Sequence, residues 1–413
     1  MQHQKNSKIA SHGKGSKIYL QDGHELIDLV SSWWVTLHGH GNEEIAKAIY
    51  EQALTLEHVL FADLQHEKAL QLVEKLKVHL SPSLQYFFFS DDGSTAVEVA
   101  LKMAIQYWKN RGYEKRKKII VFEGSYHGDT VGAMSLGQRG SFNTSFQEML
   151  FDVFSLPFPA TYEGDPDVEE KEKNALLAAQ ELLQREEGQI AAVFIEPLVQ
   201  GASGMRMCRD RFLNELSTLV RKECALLIYD EVMTGFGRTG EWFAHSKSKT
   251  LPDLLCLAKG LSGGFLPLAL TVCTKEIFDA FCGDDPKFTF YHGHSYTANP
   301  IGCAAAIASL NLLEKEEAFR AIEPIHRKEM EPFYHHPKVE KIRLCGTIAA
   351  MDLVSNERGC NALIGKKVQQ LAWARRVYLR PLGNVLYLMP PYCITEAELG
   401  FSYRVILECL ELV

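Results

Sequence analysis

Asp230 and Lys259 carry the first chemical signal in this sequence. Asp230 follows the apolar run 225–229, which reads as a buried strand of a parallel sheet. Behind it come Glu231 and the glycine-rich stretch Gly235-Phe236-Gly237-Arg238-Thr239-Gly240. Ligands of open α/β sheets bind outside the carboxyl ends of the strands. A carboxylate placed there against apolar residues is costly unless it meets a cation. Lys259 stands between the apolar run 254–258 and the small residues of Gly260-Leu261-Ser262-Gly263-Gly264. An acid at a strand end and a lysine in a tight turn suit pyridoxal phosphate. The lysine forms the Schiff base, and the acid keeps the pyridine nitrogen protonated so that the ring acts as an electron sink. The same residues also read as a helix cap or metal ligand and a solvated turn lysine, so the pair needs support from elsewhere in the chain.

Four other stretches offer it. Tyr86-Phe87-Phe88-Phe89 reads as a strand, Ser90-Asp91-Asp92-Gly93-Ser94-Thr95 as a turn, and 96–108 as a helix. Gly93 and Ser94 then sit where a helix N-terminus binds phosphate, or else in a plain strand-to-helix turn with a serine cap. Tyr126 and His127 lie between Gly124 and Gly128 after the strand 118–122. Tyr126 suits stacking on a planar ring, and His127 reads equally as a base or as a packed turn residue. Trp33 and Trp34 are adjacent in a Gly/His-rich stretch. On a strand they would face opposite ways, and interface packing and pocket lining both account for them. Arg380 precedes Pro381 at a strand entrance, where it clamps a carboxylate bidentately or stands as a surface arginine.

The elements that must position these residues alternate strand and helix over roughly 86–275, which predicts a mainly parallel sheet with helices on both faces. Short strands at 17–20 and 25–29 flank an Asp22-Gly23 turn, and helices are expected at 42–56 and 66–80. The acidic stretch 163–172 reads as a solvated excursion, and 290–300 as a polar-aromatic loop. Past 314 the pattern becomes mixed, with strands at 339–344, 347–353 and 385–389 and a helix over 362–377. The length of 413 residues accommodates an N-terminal segment of a small domain (1–60), a large domain (61–313) and a C-terminal small domain (314–413). A formal net charge of −8 without a basic stripe argues against a nucleic-acid partner. No apolar run is long enough to span a bilayer, and the polar start has no secretory pattern. Ten scattered cysteines without a CxxC pair read as reduced thiols of a cytoplasmic protein, and no metal site is expected.

Taken together, Asp92-Gly93-Ser94, Tyr126-His127-Gly128, Asp230-Glu231 with 235–240, and Lys259 resemble the class III, fold-type I pyridoxal-phosphate aminotransferases. The likeness runs from about residue 17 to the end. Ser31-Ser32-Trp33-Trp34, Gln200-Gly201-Ala202 with Gly204-Met205-Arg206-Met207, Arg380-Pro381 and the run from Tyr387 to Tyr392 are similar to one branch, the transaminases of 8-amino-7-oxononanoate in biotin synthesis. The resemblance implies an α/β fold with a large cofactor domain and a small α+β domain. It implies that Lys259 forms the Schiff base and shuttles a proton, that Asp230 pairs with the pyridine nitrogen and that Tyr126 stacks on the ring. Gly93 and Ser94 would hold the phosphate, and Ser295 would reach the phosphate of a neighbouring subunit in a homodimer. Trp33 and Trp34 would line the substrate pocket, with Arg380 and Tyr387 at the substrate carboxylate. S-adenosylmethionine is the donor expected for the branch, lysine the alternative. An ω-amine transaminase of the same class would share Lys259 and Asp230 without Trp33-Trp34 or the Arg380–Tyr387 pair, and a non-catalytic homologue would not need to keep Lys259. The branch carries a His-Pro-Tyr/Phe-Thr segment before the double tryptophan that residues 1–10 do not match. The expectation there is a truncated start or a contact made differently.

Overall fold

Seven strands form the central sheet of the computed structural model, which describes residues 8–140, 143–355 and 362–413. They are β1 (Leu84–Ser90), β2 (Lys118–Phe122), β3 (Phe154–Leu156), β4 (Ile190–Ile195), β5 (Leu226–Asp230), β6 (Leu254–Leu257) and β7 (Ala269–Thr274). Their order across the sheet is β1-β7-β6-β5-β4-β2-β3. Every pairing is parallel except those of β7, which runs antiparallel to both β6 and β1. Every residue of β4, β5 and β6 is buried. These strands read as continuous apolar runs because helices cover both faces. The helix Gly93–Asn110 packs on one face through Ala96, Val97, Ala100 and Ala104, whose small side chains let it approach closely. The carboxyl ends of β4 and β5 bring Glu196 and Asp230 to the same edge.

The two ends of the chain meet. Strands Ala10–Lys14, Lys17–Leu20 and Glu25–Asp28 form a sheet whose last member pairs in parallel with Val377–Tyr378, Ile27 lying opposite Val377. A third sheet joins Val339–Cys345, Ile348–Leu353 and Val385–Leu388. The closing helix Glu396–Glu411 starts with a reciprocal capping box between Thr395 and Glu398.

Several expectations are corrected. Trp33 and Trp34 lie not on a strand but in a short, irregular helical turn, Ser31–Trp34. The acidic stretch 163–172 is only partly an excursion, because the helix Val168–Arg185 begins inside it. Glu172 is buried there, paired with Arg209. The cap of Gly93–Asn110 is Asp92 rather than Ser94: its carboxylate accepts from Thr95 N, and Thr95 Oγ1 accepts from Asp92 N. The nine cysteines among the described residues are free. Cys360 and the start, Met1 to Ser7, lie outside the described residues, and so do the expectations that rest on them. Among the described residues no helix is long and apolar enough to cross a membrane, and no cluster of His, Cys, Asp and Glu is arranged to hold a metal ion.

Candidate active site

A cavity of about 530 Å³ opens at the carboxyl edge of the sheet. Gly93, Ser94, Tyr126, Asp230, Lys259 and Trp34 all line it. Six of the residues singled out from sequence therefore meet in one place. Trp33, Arg380, Tyr387 and Ser295 are not part of its lining.

Asp230 is held from two sides. Val232 N donates to its Oδ1 at 3.0 Å, and His127 Nδ1 lies 2.7 Å from its Oδ2. An ionised carboxylate only accepts, so the imidazole donates. His127 is buried, which by itself disfavours the imidazolium. The hydrogen bond and charge of Asp230 outweigh that burial and raise its pKa. His127 is thus the partner that orients Asp230, a role its position between Tyr126 and Gly128 did not reveal.

Lys259 follows β6 in a left-handed conformation (φ 45°), a strained geometry for a residue with a Cβ. Its Nζ lies 5.4 Å from the centre of the Trp34 ring. Burial lowers its pKa, against the opposing charges of Asp230, Glu196 and Asp92. The result is an amine that gives up its proton more readily than a surface lysine.

Glycines shape the rest of the cavity. A Cβ on Gly128 (φ 132°) would stand 2.1 Å from Ser94 Oγ, and one on Gly93 would stand 2.6 Å from Val232 Cγ1. Ser94 Oγ accepts from Asp129 N, which ties the Tyr126 loop to the start of the helix. Tyr126 keeps 38% of its surface exposed in the cavity wall. Thr234 Oγ1, buried and without a partner, belongs to the same lining.

The turn that carries Trp34 is built by Asp28, whose carboxylate accepts from Val30 N and Ser32 N. It compels positive φ at Ser31, Ser32 and Trp34. Arg238, fully buried, donates to the carbonyls of Trp34 and Pro390. Trp34 Nε1 donates to Tyr387 Oη at 3.0 Å. Burial pushes the Tyr387 phenol up to about 12. Arg380 rests its guanidinium 3.5 Å above the Trp33 ring, which is 57% exposed. It makes no salt bridge among the described residues. The two tryptophans thus divide: Trp34 enters the cavity and Trp33 carries the arginine outside it.

The class-III aminotransferase family model matches residues 1–410. The chain belongs to the class-III aminotransferases. An adenosylmethionine-8-amino-7-oxononanoate aminotransferase of Synechococcus elongatus is 56% identical over 405 residues, covering 98% of this chain and 95% of the relative. One of Geobacter sulfurreducens is 36% identical over 94% of this chain and 88% of the relative. Among solved structures, the protein of the same name from Methanocaldococcus jannaschii superposes with a TM-score of 0.92 at 33% identity, over 99% of this chain and 94% of that one. A pyridoxal-phosphate-bound amine transaminase from an uncultivated Pseudomonas species superposes at 0.94 with 29% identity, over 98% and 95%. The fold of this class-III aminotransferase is therefore fold-type I, as its motifs implied.

One site residue was overlooked in the sequence of this aminotransferase. Glu196 follows β4 just as Asp230 closes β5, and it also lines the cavity. An acid directly after an all-apolar strand at the carboxyl edge is the same signal that singled out Asp230.

Proposed function

We propose that this chain transfers an amino group to 8-amino-7-oxononanoate by pyridoxal-phosphate chemistry, with S-adenosylmethionine as donor. The observation that carries the reading is that Lys259, Asp230 and the Gly93–Ser94 helix start share one cavity. The residues present fit the cofactor. The free N–H groups at Gly93 and Ser94 suit its phosphate, and Gly128 lets the Tyr126 loop pack against Ser94 at a distance that any Cβ would block. Asp230, oriented by His127, suits the pyridine nitrogen, and Tyr126 and Val232 suit the two ring faces. Bound there, pyridoxal phosphate supplies an electron sink and a carrier for the amino group.

The chain's own residues do the rest. Lys259 Nζ, made less basic by burial, takes a proton from the substrate carbon and returns it. Asp230 holds positive charge at the ring nitrogen. Trp34 and the glycine loops exclude water from the cavity. Arg380, with its donors uncommitted to any acid among the described residues, receives the substrate carboxylate beside Tyr387. Arg380 acts on Tyr387 through its charge, Tyr387 accepts from Trp34, and Lys259 lies over the Trp34 ring, an order that suits a ketone with a carboxylate at its far end. The names of the two curated relatives support both substrates.

The same reading gives a cytoplasmic homodimer in which Ser295 reaches the phosphate in the partner's site. In support, Ser295 is exposed and outside the cavity lining, beside exposed Tyr291 and Tyr296. It also divides each chain into a large domain (61–313) and a small one (1–60 with 314–413).

The test is a half-reaction on the purified, cofactor-loaded protein, followed by visible absorbance. S-adenosylmethionine is expected to bleach the cofactor band, and 8-amino-7-oxononanoate to restore it. A response to an ω-amine with none to the oxononanoate would overturn the substrate assignment and leave the family standing.

A further inference from the structure

Glu196 is the buried ionisable group of the cavity that this mechanism leaves unused. Its two carboxylate oxygens serve two different loops. Tyr126 N donates to Oε1 at 3.0 Å, and Gly201 N donates to Oε2 at 3.0 Å. The first loop carries the ring-stacking tyrosine. The second backs the substrate wall: a Cβ on Gly201 would stand 3.3 Å from Trp34 Cη2 and 2.9 Å from Met233 Cε. Ser203 Oγ donates to Gly124 O and joins the same two loops a second time. Glu196 is only 6% exposed and makes no salt bridge among the described residues. Leaving a carboxylate buried on neutral donors is costly, and nothing in the sheet requires an acid there.

We propose that Glu196 is a positioning residue for transamination: its carboxylate ties the Tyr126 backbone to the Gly201 backbone and so sets the gap between the stacking face and the Trp34 wall in which the ketone lies. The inference rests on the functional reading above. It explains why an acid rather than an amide closes β4. A carboxylate accepts at both oxygens, whereas glutamine keeps one acceptor and turns an NH₂ group toward the other backbone N–H.

The bridge also responds to pH. Burial raises the Glu196 carboxyl to about 7, with His127 opposing and Asp230 adding to the rise. The charged or titratable groups that face it are Tyr126 and His127 after β2, Asp230 after β5, Lys259 after β6, and Arg206 on the short strand Arg206–Met207. Protonation places a hydrogen on one oxygen and weakens one of the two bonds, so the gap loosens on the acid side.

The experiment compares the cofactor-loaded wild type with Glu196→Gln by visible circular dichroism of the cofactor across this range, and by steady-state kinetics. The expected result is a spectral step near pH 7 in the wild type that the variant lacks. The variant is also expected to raise KM for 8-amino-7-oxononanoate about tenfold, with the donor half-reaction within about twofold. His127, present in both proteins, supplies any titration that persists. An identical step in both proteins, or equal effects on both substrates, would overturn the proposal. If neither protein turns over the oxononanoate, the substrate reading fails while the dichroism still decides the role of Glu196. Should Glu196→Gln not fold, Glu196→Asp reaches only one of the two N–H groups. It is expected to keep a displaced step and a raised KM, and an unchanged KM would count against the bridge.

Discussion

In the proposed mechanism turnover depends on Lys259, and the fold holds its left-handed backbone against a local cost. Replacing it with alanine is expected to lower turnover by at least about 10³-fold. Folding should change by no more than about 1 kcal/mol, because the amine is buried without a salt bridge. Wild-type rates in Lys259→Ala would sink the mechanism. The role proposed for Arg380 is in binding instead. Losing a charge-assisted pair to a carboxylate should raise KM for the oxononanoate roughly 30-fold and leave the donor nearly unaffected. Equal changes for both would remove the assigned role. Glu196 links the site to stability. Its carboxyl moves from 4.5 to about 7 on folding, so the folded protein binds more protons between those values. Its contribution is fully present below pH 4.5 and is lost as pH rises through 7. Denaturant titrations should therefore show the wild type losing stability relative to Glu196→Gln across that window, and parallel pH curves would contradict the assignment.

Elements position these residues through features that differ in how far they show in sequence. The run Tyr86-Phe87-Phe88-Phe89, the turn and the small residues after it placed β1 and its helix to within a few residues, although β1 is an edge strand only partly buried at Tyr86, Phe87 and Phe88. The Ser31–Trp34 turn did not announce itself. Its positive φ values follow from Asp28 and from Ser31 Oγ donating to Met389 O, a contact 358 positions away. The stretch 163–172 reads as a solvated excursion although the helix Val168–Arg185 begins inside it, because Glu172 is buried against Arg209 and a buried ion pair looks in sequence like two surface charges. Gly128 shows what backbone geometry contributes. An alanine there would be strained at φ 132° and would collide with Ser94 Oγ. Gly128→Ala is expected to displace Ser94 and weaken cofactor binding about tenfold or more, measured as a dissociation constant, and unchanged affinity would refute that role for Gly128.

At the scale of the whole molecule, the proposed homodimer has a direct test. Mixed dimers of Lys259→Ala with Ser295→Ala should contain one intact site if Ser295 serves the partner, so tight cofactor binding and activity return on mixing. If each chain completes its own site, mixing restores nothing. The order of motifs along the chain, the apolar strands and the glycine loops carried the family resemblance and with it the fold class, and they named six residues that line one cavity, because each depends on local pattern or on residue type. Only the tertiary structure decided that His127 orients Asp230, that Glu196 bridges two loops, and that Trp33 and Trp34 part company. Those relations join side chains on different strands or opposite ends of the chain, and no spacing along the sequence records which of them meet.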